Sequence, residues 1–204
     1  MEVIMHSYSI DEKRIKILSS IGSLAFIASL IILKIFNPIV DNINALPYIN
    51  HVPYIPQLAT FGFLYMLFFY LLDRVLWKIS LKGFRLSKVP DLNGKWKGHI
   101  ITSHNSRYKI DITVDIQQTW SSISIILKTN TSKSKSEVAS ISLSESRLVY
   151  QYVNEPSSNS AETMHKHYGI TFLDFEEINT LKGSYFTCRD RQTHGDIFLK
   201  RSKS

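Results

Sequence analysis

The sequence predicts two N-terminal transmembrane α-helices followed by an all-β C-terminal domain, an eight-stranded antiparallel up-and-down β-barrel. Three observations predict it. Two uncharged apolar runs occupy the first third of the chain, the apolar period changes from helical to two after Pro90, and no helix-length segment interrupts the alternating stretches that follow.

With 204 residues there is room for one ordinary domain and a small extra module. The expected division is 1–89 for a helical hairpin and its linker, and 90–204 for the β-domain. The mean hydropathy of −0.04 averages a very apolar first third with a Ser/Thr/Lys-rich remainder. The net charge of +7 points to anionic partners, either nucleic acid, anionic lipid or a phosphorylated ligand. Cys188 is the sole cysteine, so a disulfide framework and a thiolate metal site are excluded.

The first span is expected at about 15–36. No charge falls between Ile17 and Leu33, and Lys16 and Lys34 bracket the run, which has the roughly 20 residues needed to cross a hydrocarbon core. The second is expected at about 55–76, where Pro56 suits a first helical turn and Asp73 with Arg74 closes the run at the interface. Lys13, Arg14 and Lys16 precede the first span, and Arg74, Lys78, Lys82, Arg85 and Lys88 follow the second. The positive-inside rule then places both termini in the cytoplasm and the Asn/Pro-rich loop from Asn37 to Tyr54 outside. Ser19 with Ser23, Ala25 with Ser29, and Gly22 between them offer a small-residue face for close helix approach.

In the β-domain, Tyr108, Ile110, Ile112, Val114 and Ile116 alternate with polar residues, the mark of a strand with one buried face. The pattern returns at Ile123, Ile125 and Leu127. Further strands are expected at Lys95 to Ser103, Glu137 to Ser144, Arg147 to Val153, Lys166 to Leu173, Leu181 to Thr187 and Gly195 to Arg201. Turn-rich pieces such as Thr131 to Ser136 and Arg189 to Thr193 separate them, so hairpins connect an antiparallel sheet. Closure into a barrel removes exposed edges, and a two-sheet sandwich is the alternative.

Gly94-Lys95-Trp96 opens the first of these strands and Arg201 lies near the end of the last. This resembles the start and the late basic residue of lipocalin-like barrels, in which the indole plugs the closed end and the cation packs on it. An ordinary core tryptophan is the plainer reading of Trp96. Up-and-down topology then sends Thr102, Arg107, Tyr108, Tyr150, Tyr152, Tyr168, Tyr185, Arg189 and Arg191 toward the opposite rim, which faces away from the bilayer. Aromatic faces and guanidinium groups at one mouth suit a ligand with flat bases and phosphates. Tyrosine also favours strands for its own sake, so part of this set is structural.

Catalytic patterns are missing: there is no Gly-x-Ser-x-Gly, no Walker-type Gly-Lys-Ser and no His-Glu-x-x-His. His165 and His167 would share one strand face, yet without neighbouring cysteine they read as rim or surface histidines rather than metal ligands. Glu176-Glu177 reads as a solvated turn, and Cys188 beside Arg189 as a strand-end thiol. The sequence favours binding over catalysis, with no metal and no cofactor.

Two spans followed by a β-domain that opens Asp91-Leu92-Asn93-Gly94-Lys95-Trp96-Lys97-Gly98 resemble the two-transmembrane β-barrel effectors of bacterial cyclic-oligonucleotide-based anti-phage signalling, the CD-NTase-associated protein 15 family. The resemblance implies a receptor with no enzymatic activity, located in the bacterial inner membrane. Its barrel binds a cyclic dinucleotide made by a partner synthase, the chain forms homo-oligomers, and its helices disrupt the lipid bilayer; no DNA or RNA polymer is a partner. Two alternatives stand beside it: a membrane-tethered carrier of an apolar ligand, and an interaction module whose barrel is filled by side chains.

Overall fold

A computed structural model describes residues 4–36, 42, 55–81, 84–103, 108–157, 165–175, 177, 179–189 and 191–202. The chain divides into two compact units, Met1–Glu12 with Val89–Ser204, and Lys13–Lys88. The expected outer loop apart from residue 42, and Lys82, Arg107 and Glu176, lie outside the described residues.

The second unit contains α1 (Arg14–Ile35), α2 (Ile55–Arg74) and a single 3-10 turn at Leu76–Lys78. At about 1.5 Å per residue, α1 is long enough to cross a bilayer core. Among the described residues, α1 has both the length and the apolarity of a span. The second expected span coincides with the 20-residue helix α2.

The helices meet along Ile21, Ala25 and Ser29 of α1, one residue per turn. Gln57 Nε2 donates to Ser29 Oγ at 2.6 Å, and Ser29 Oγ donates to the Phe26 carbonyl at 2.7 Å. Of the small-residue face, Ala25 and Ser29 are used in this seam, whereas Ser19 and Ser23 point outward and return their hydroxyls to the carbonyls of Ile15 and Ser19.

The first unit is a closed barrel of nine strands, not eight. Strands β2 (Ser80–Leu81) and β3 (Phe84–Arg85) form a separate two-residue ribbon. Eight barrel strands follow in an antiparallel meander: β4 (Gly94–Thr102), β5 (Lys109–Gln118), β6 (Ser122–Lys128), β7 (Ser132–Ser142), β8 (Arg147–Pro156), β9 (His167–Asp174), β10 (Thr180–Thr187) and β11 (His194–Arg201). The ninth is β1 (His6–Ile10), which precedes α1 and lies between β6 and β7, antiparallel to the first and parallel to the second.

A fork in the sheet makes room for β1. β6 and β7 pair only over Ile126–Lys128, and a bulge between Ser136 and Val138 then turns β7 away. At the fork Ser136 Oγ accepts the Ile125 N–H at 2.9 Å and lies 2.8 Å from His6 Nε2. Tyr8 is buried in the gap and donates its hydroxyl to the Trp120 carbonyl at 2.8 Å. Beyond the strand, the Asp11 carboxylate accepts the N–H groups of Leu143 and Ser144 in the β7–β8 turn. Those two bonds hold its carboxyl below the ordinary value.

Inward positions change character along the barrel axis. At one end Trp96, Leu148, Leu173 and Leu181 are fully buried, each worth roughly 1.5–3 kcal/mol in removed apolar surface. Arg201 sits over the Trp96 ring at 4.4 Å and bonds the Asn93 and Asp91 carbonyls. Trp96 Nε1 donates to the Leu92 carbonyl at 3.1 Å, and Asn93 and Gln118 exchange bonds across the cap. Gly94 has φ of +121°, a conformation that excludes an L side chain, which is why the turn into β4 needs glycine there. Ile10 and Gly94 both lie at this closed end, so both connections to the helical unit leave from it.

Candidate functional site

Toward the opposite end the inward residues become small and polar. Ser132 and Ser134 on β7, Asn154 on β8, His167 and Thr171 on β9, and Thr102 on β4 line a cavity with an apolar floor of Ile100, Ile110, Leu127 and Ile197. Including its open mouth the cavity holds about 760 Å³ of space not filled by protein atoms.

Three tyrosines form its aromatic wall. Tyr150 and Tyr152 are near neighbours on β8, with ring centroids 6.2 Å apart, and Tyr185 on β10 donates its hydroxyl to Thr102 Oγ1 at 2.9 Å. Two of the rings lie over glycines directly across the sheet. Tyr152 pairs with Gly169, and Tyr185 pairs with Gly195. A Cβ on Gly169 would stand 2.3 Å from the Tyr152 hydroxyl, and one on Gly195 2.9 Å from Tyr185 Cε1. The missing side chains let the rings lie along the wall and keep the cavity open.

Burial pushes the Tyr150 phenol up to about 12, and it raises Tyr152 further with help from Tyr150 and Tyr185. Both therefore stay neutral and act as O–H donors at physiological pH. His167 is lowered, chiefly by burial and also by the Arg191 guanidinium, so its ring is neutral near pH 7. Arg191 reaches the cavity from the β10–β11 turn, where its N–H donates to the Cys188 carbonyl at 3.1 Å and Gln192 adopts a left-handed φ of 50°. Among the described residues the mouth thus combines the Arg191 cation, flat neutral aromatics and a hydroxyl-rich wall.

Of the rim residues expected from sequence, Thr102, Tyr150, Tyr152, Tyr185 and Arg191 come together in this cavity. Tyr108 is 66% exposed at the entrance to β5 and does not line it. Tyr168, 48% exposed, falls between inward His167 and Gly169 and so faces outward, because side chains alternate along a strand. Arg189 is exposed in the β10–β11 turn. His165 and His167 do not share a face: His165 is exposed and its carbonyl accepts the His167 Nδ1 proton at 3.0 Å. Among the described residues no group of three metal-ligating side chains occurs.

Sequence reasoning missed the hydroxyl wall. The stretch Ser132 to Ser136 reads as a turn because it lacks apolar residues, yet it is the first half of β7, with serines inward and Lys133 and Lys135 less buried between them. The signal present was alternation of small hydroxyl and lysine, a period of two without hydrophobicity.

Comparison with known proteins adds two findings. Residues 87–201 match the family model described as Cap15, cyclic dinucleotide receptor domain. The chain is also 31% identical over 159 residues to CD-NTase-associated protein 15 of Yersinia aleksiciae, an alignment that covers 74% of each chain.

Proposed function

The chain belongs to the CD-NTase-associated protein 15 family, and from that premise we propose that the barrel mouth binds a cyclic dinucleotide and that the helical unit turns binding into disruption of the bacterial inner membrane. The observation that carries this reading is the cavity itself: Tyr150, Tyr152 and Tyr185 beside Arg191 and a wall of hydroxyls. Aromatic faces stack nucleobases, a guanidinium forks onto phosphate, and hydroxyls bond ribose and phosphate oxygens. An apolar ligand would leave Asn154 Oδ1 without a partner, and a barrel filled by side chains would hold no such cavity.

In this reading α1 and α2 both span the bilayer and both termini are cytoplasmic. Leu24, Ile27 and Ile31 on α1 and Phe63 and Met66 on α2 are exposed within the single chain and would meet lipid or further copies. Ligand drives assembly only if the assembled state binds it more tightly than the monomer. The protein then acts as a receptor and carries out no reaction.

Full-length protein reconstituted in dye-loaded vesicles tests the output. Cyclic dinucleotide is expected to raise dye release and the size of crosslinked species together. Binding without either change would refute the membrane half of the proposal.

A further inference from the structure

Asn154 and His167 stand directly opposite each other on β8 and β9, and both face the cavity. Asn154 Nδ2 donates to Ser132 Oγ at 3.3 Å, which leaves Oδ1 buried without a hydrogen-bond partner. A buried amide carbonyl in that state forfeits a bond that a bound donor would supply. Across the ladder, His167 gives its Nδ1 proton to the His165 carbonyl at 3.0 Å, so Nε2 is the acceptor of the neutral ring. Two acceptors on adjacent strands therefore meet at one wall of the cavity. The donors nearby are rotatable hydroxyls, which suit any partner and discriminate little.

We propose that Asn154 and His167 form the base-reading end of the cavity and select a nucleobase by its amino group, so that guanine, adenine or cytosine is accepted and hypoxanthine or uracil is rejected. This rests on the cyclic-dinucleotide reading above. An amino group carries two N–H donors and can satisfy both acceptors, whereas hypoxanthine and uracil offer a single ring N–H beside a carbonyl oxygen and leave one acceptor of the pair unsatisfied. The Arg191 guanidinium, which lines the same cavity, is the complementary phosphate-binding group.

The test is calorimetric titration of the full-length protein in detergent with the cyclic dinucleotides of guanine, adenine and cytosine and with those of hypoxanthine and uracil. The tightest amino-bearing ligand is expected to bind roughly tenfold or more tighter than either amino-free one. In Asn154→Leu, and separately in His167→Phe, that ratio is expected to fall severalfold, with circular dichroism showing the barrel intact. An amino-free ligand that binds as tightly as the best amino-bearing one, or a ratio unchanged in both variants, overturns the proposal and leaves the cyclic-dinucleotide reading standing. No saturable binding by any of the five overturns that reading itself.

Discussion

Gly169 shows how much of the site depends on atoms that are missing. Its absent side chain is the space in which the Tyr152 ring lies, and the Phe186 carbonyl closes the other side at 2.7 Å from a built Cβ. Gly169→Ala is therefore expected to push Tyr152 into the cavity, weakening ligand binding and lowering stability by about 1–3 kcal/mol, as overpacking does; chemical denaturation and a titration check both. His167 carries a pH dependence whose sign follows from its lowered pKa. Above the ordinary imidazole value both folded and unfolded chains are neutral there, while below it the unfolded chain takes up the proton first. The thermal midpoint is expected to fall on acidification from about pH 6.5, and His167→Phe should flatten that part of the profile. Sequence made Thr102, Tyr150, Tyr152, Tyr185 and Arg191 legible because strand direction and parity place them. It misplaced Tyr168 because the register of β9 turns on one residue, and parity decides which face a side chain takes.

At the scale of the element, β1 is the strand that joins the barrel to α1 in one continuous stretch of chain. It is held at three points, by His6 at the fork, by Tyr8 in the gap and by Asp11 on the β7–β8 turn. Tyr8→Ala is expected to cost about 3–5 kcal/mol through loss of a buried ring, read as a lower unfolding midpoint, whereas Tyr8→Phe keeps the ring and loses only about 1 kcal/mol. Equal effects of the two would show that the hydroxyl bond to Trp120, not the packed ring, anchors the strand. The strand was not read from the sequence because five residues with inward His6, Tyr8 and Ile10 give too short a period, far from the other strands. The mouth half of β7 escaped for the opposite reason: its inward residues are serines, so no apolar alternation exists to detect. Strands β5 and β6 were legible at the closed end, since Val114, Ile116, Ile123 and Ile125 carry the hydrophobic period that packing requires.

For the whole molecule, the division of labour follows the chain only in part. The receptor unit takes in both the C-terminal strands and residues ahead of α1, so the two ends of the helical unit are both continuous with the closed end of the barrel. That closed end is apolar and capped by Trp96 and Arg201; the mouth is polar and carries Arg191. The same gradient that packs one end leaves the other able to bind. The central claim is that the mouth holds a cyclic dinucleotide by its phosphates and bases. Calorimetric titration of full-length wild-type protein and of Arg191→Ala with a panel of cyclic dinucleotides tests it most directly. The account predicts saturable binding of at least one ligand by wild type, weakened roughly tenfold or more in Arg191→Ala through loss of a charge-assisted phosphate contact. Absence of saturable binding across the panel, or an unchanged affinity in Arg191→Ala, would contradict it.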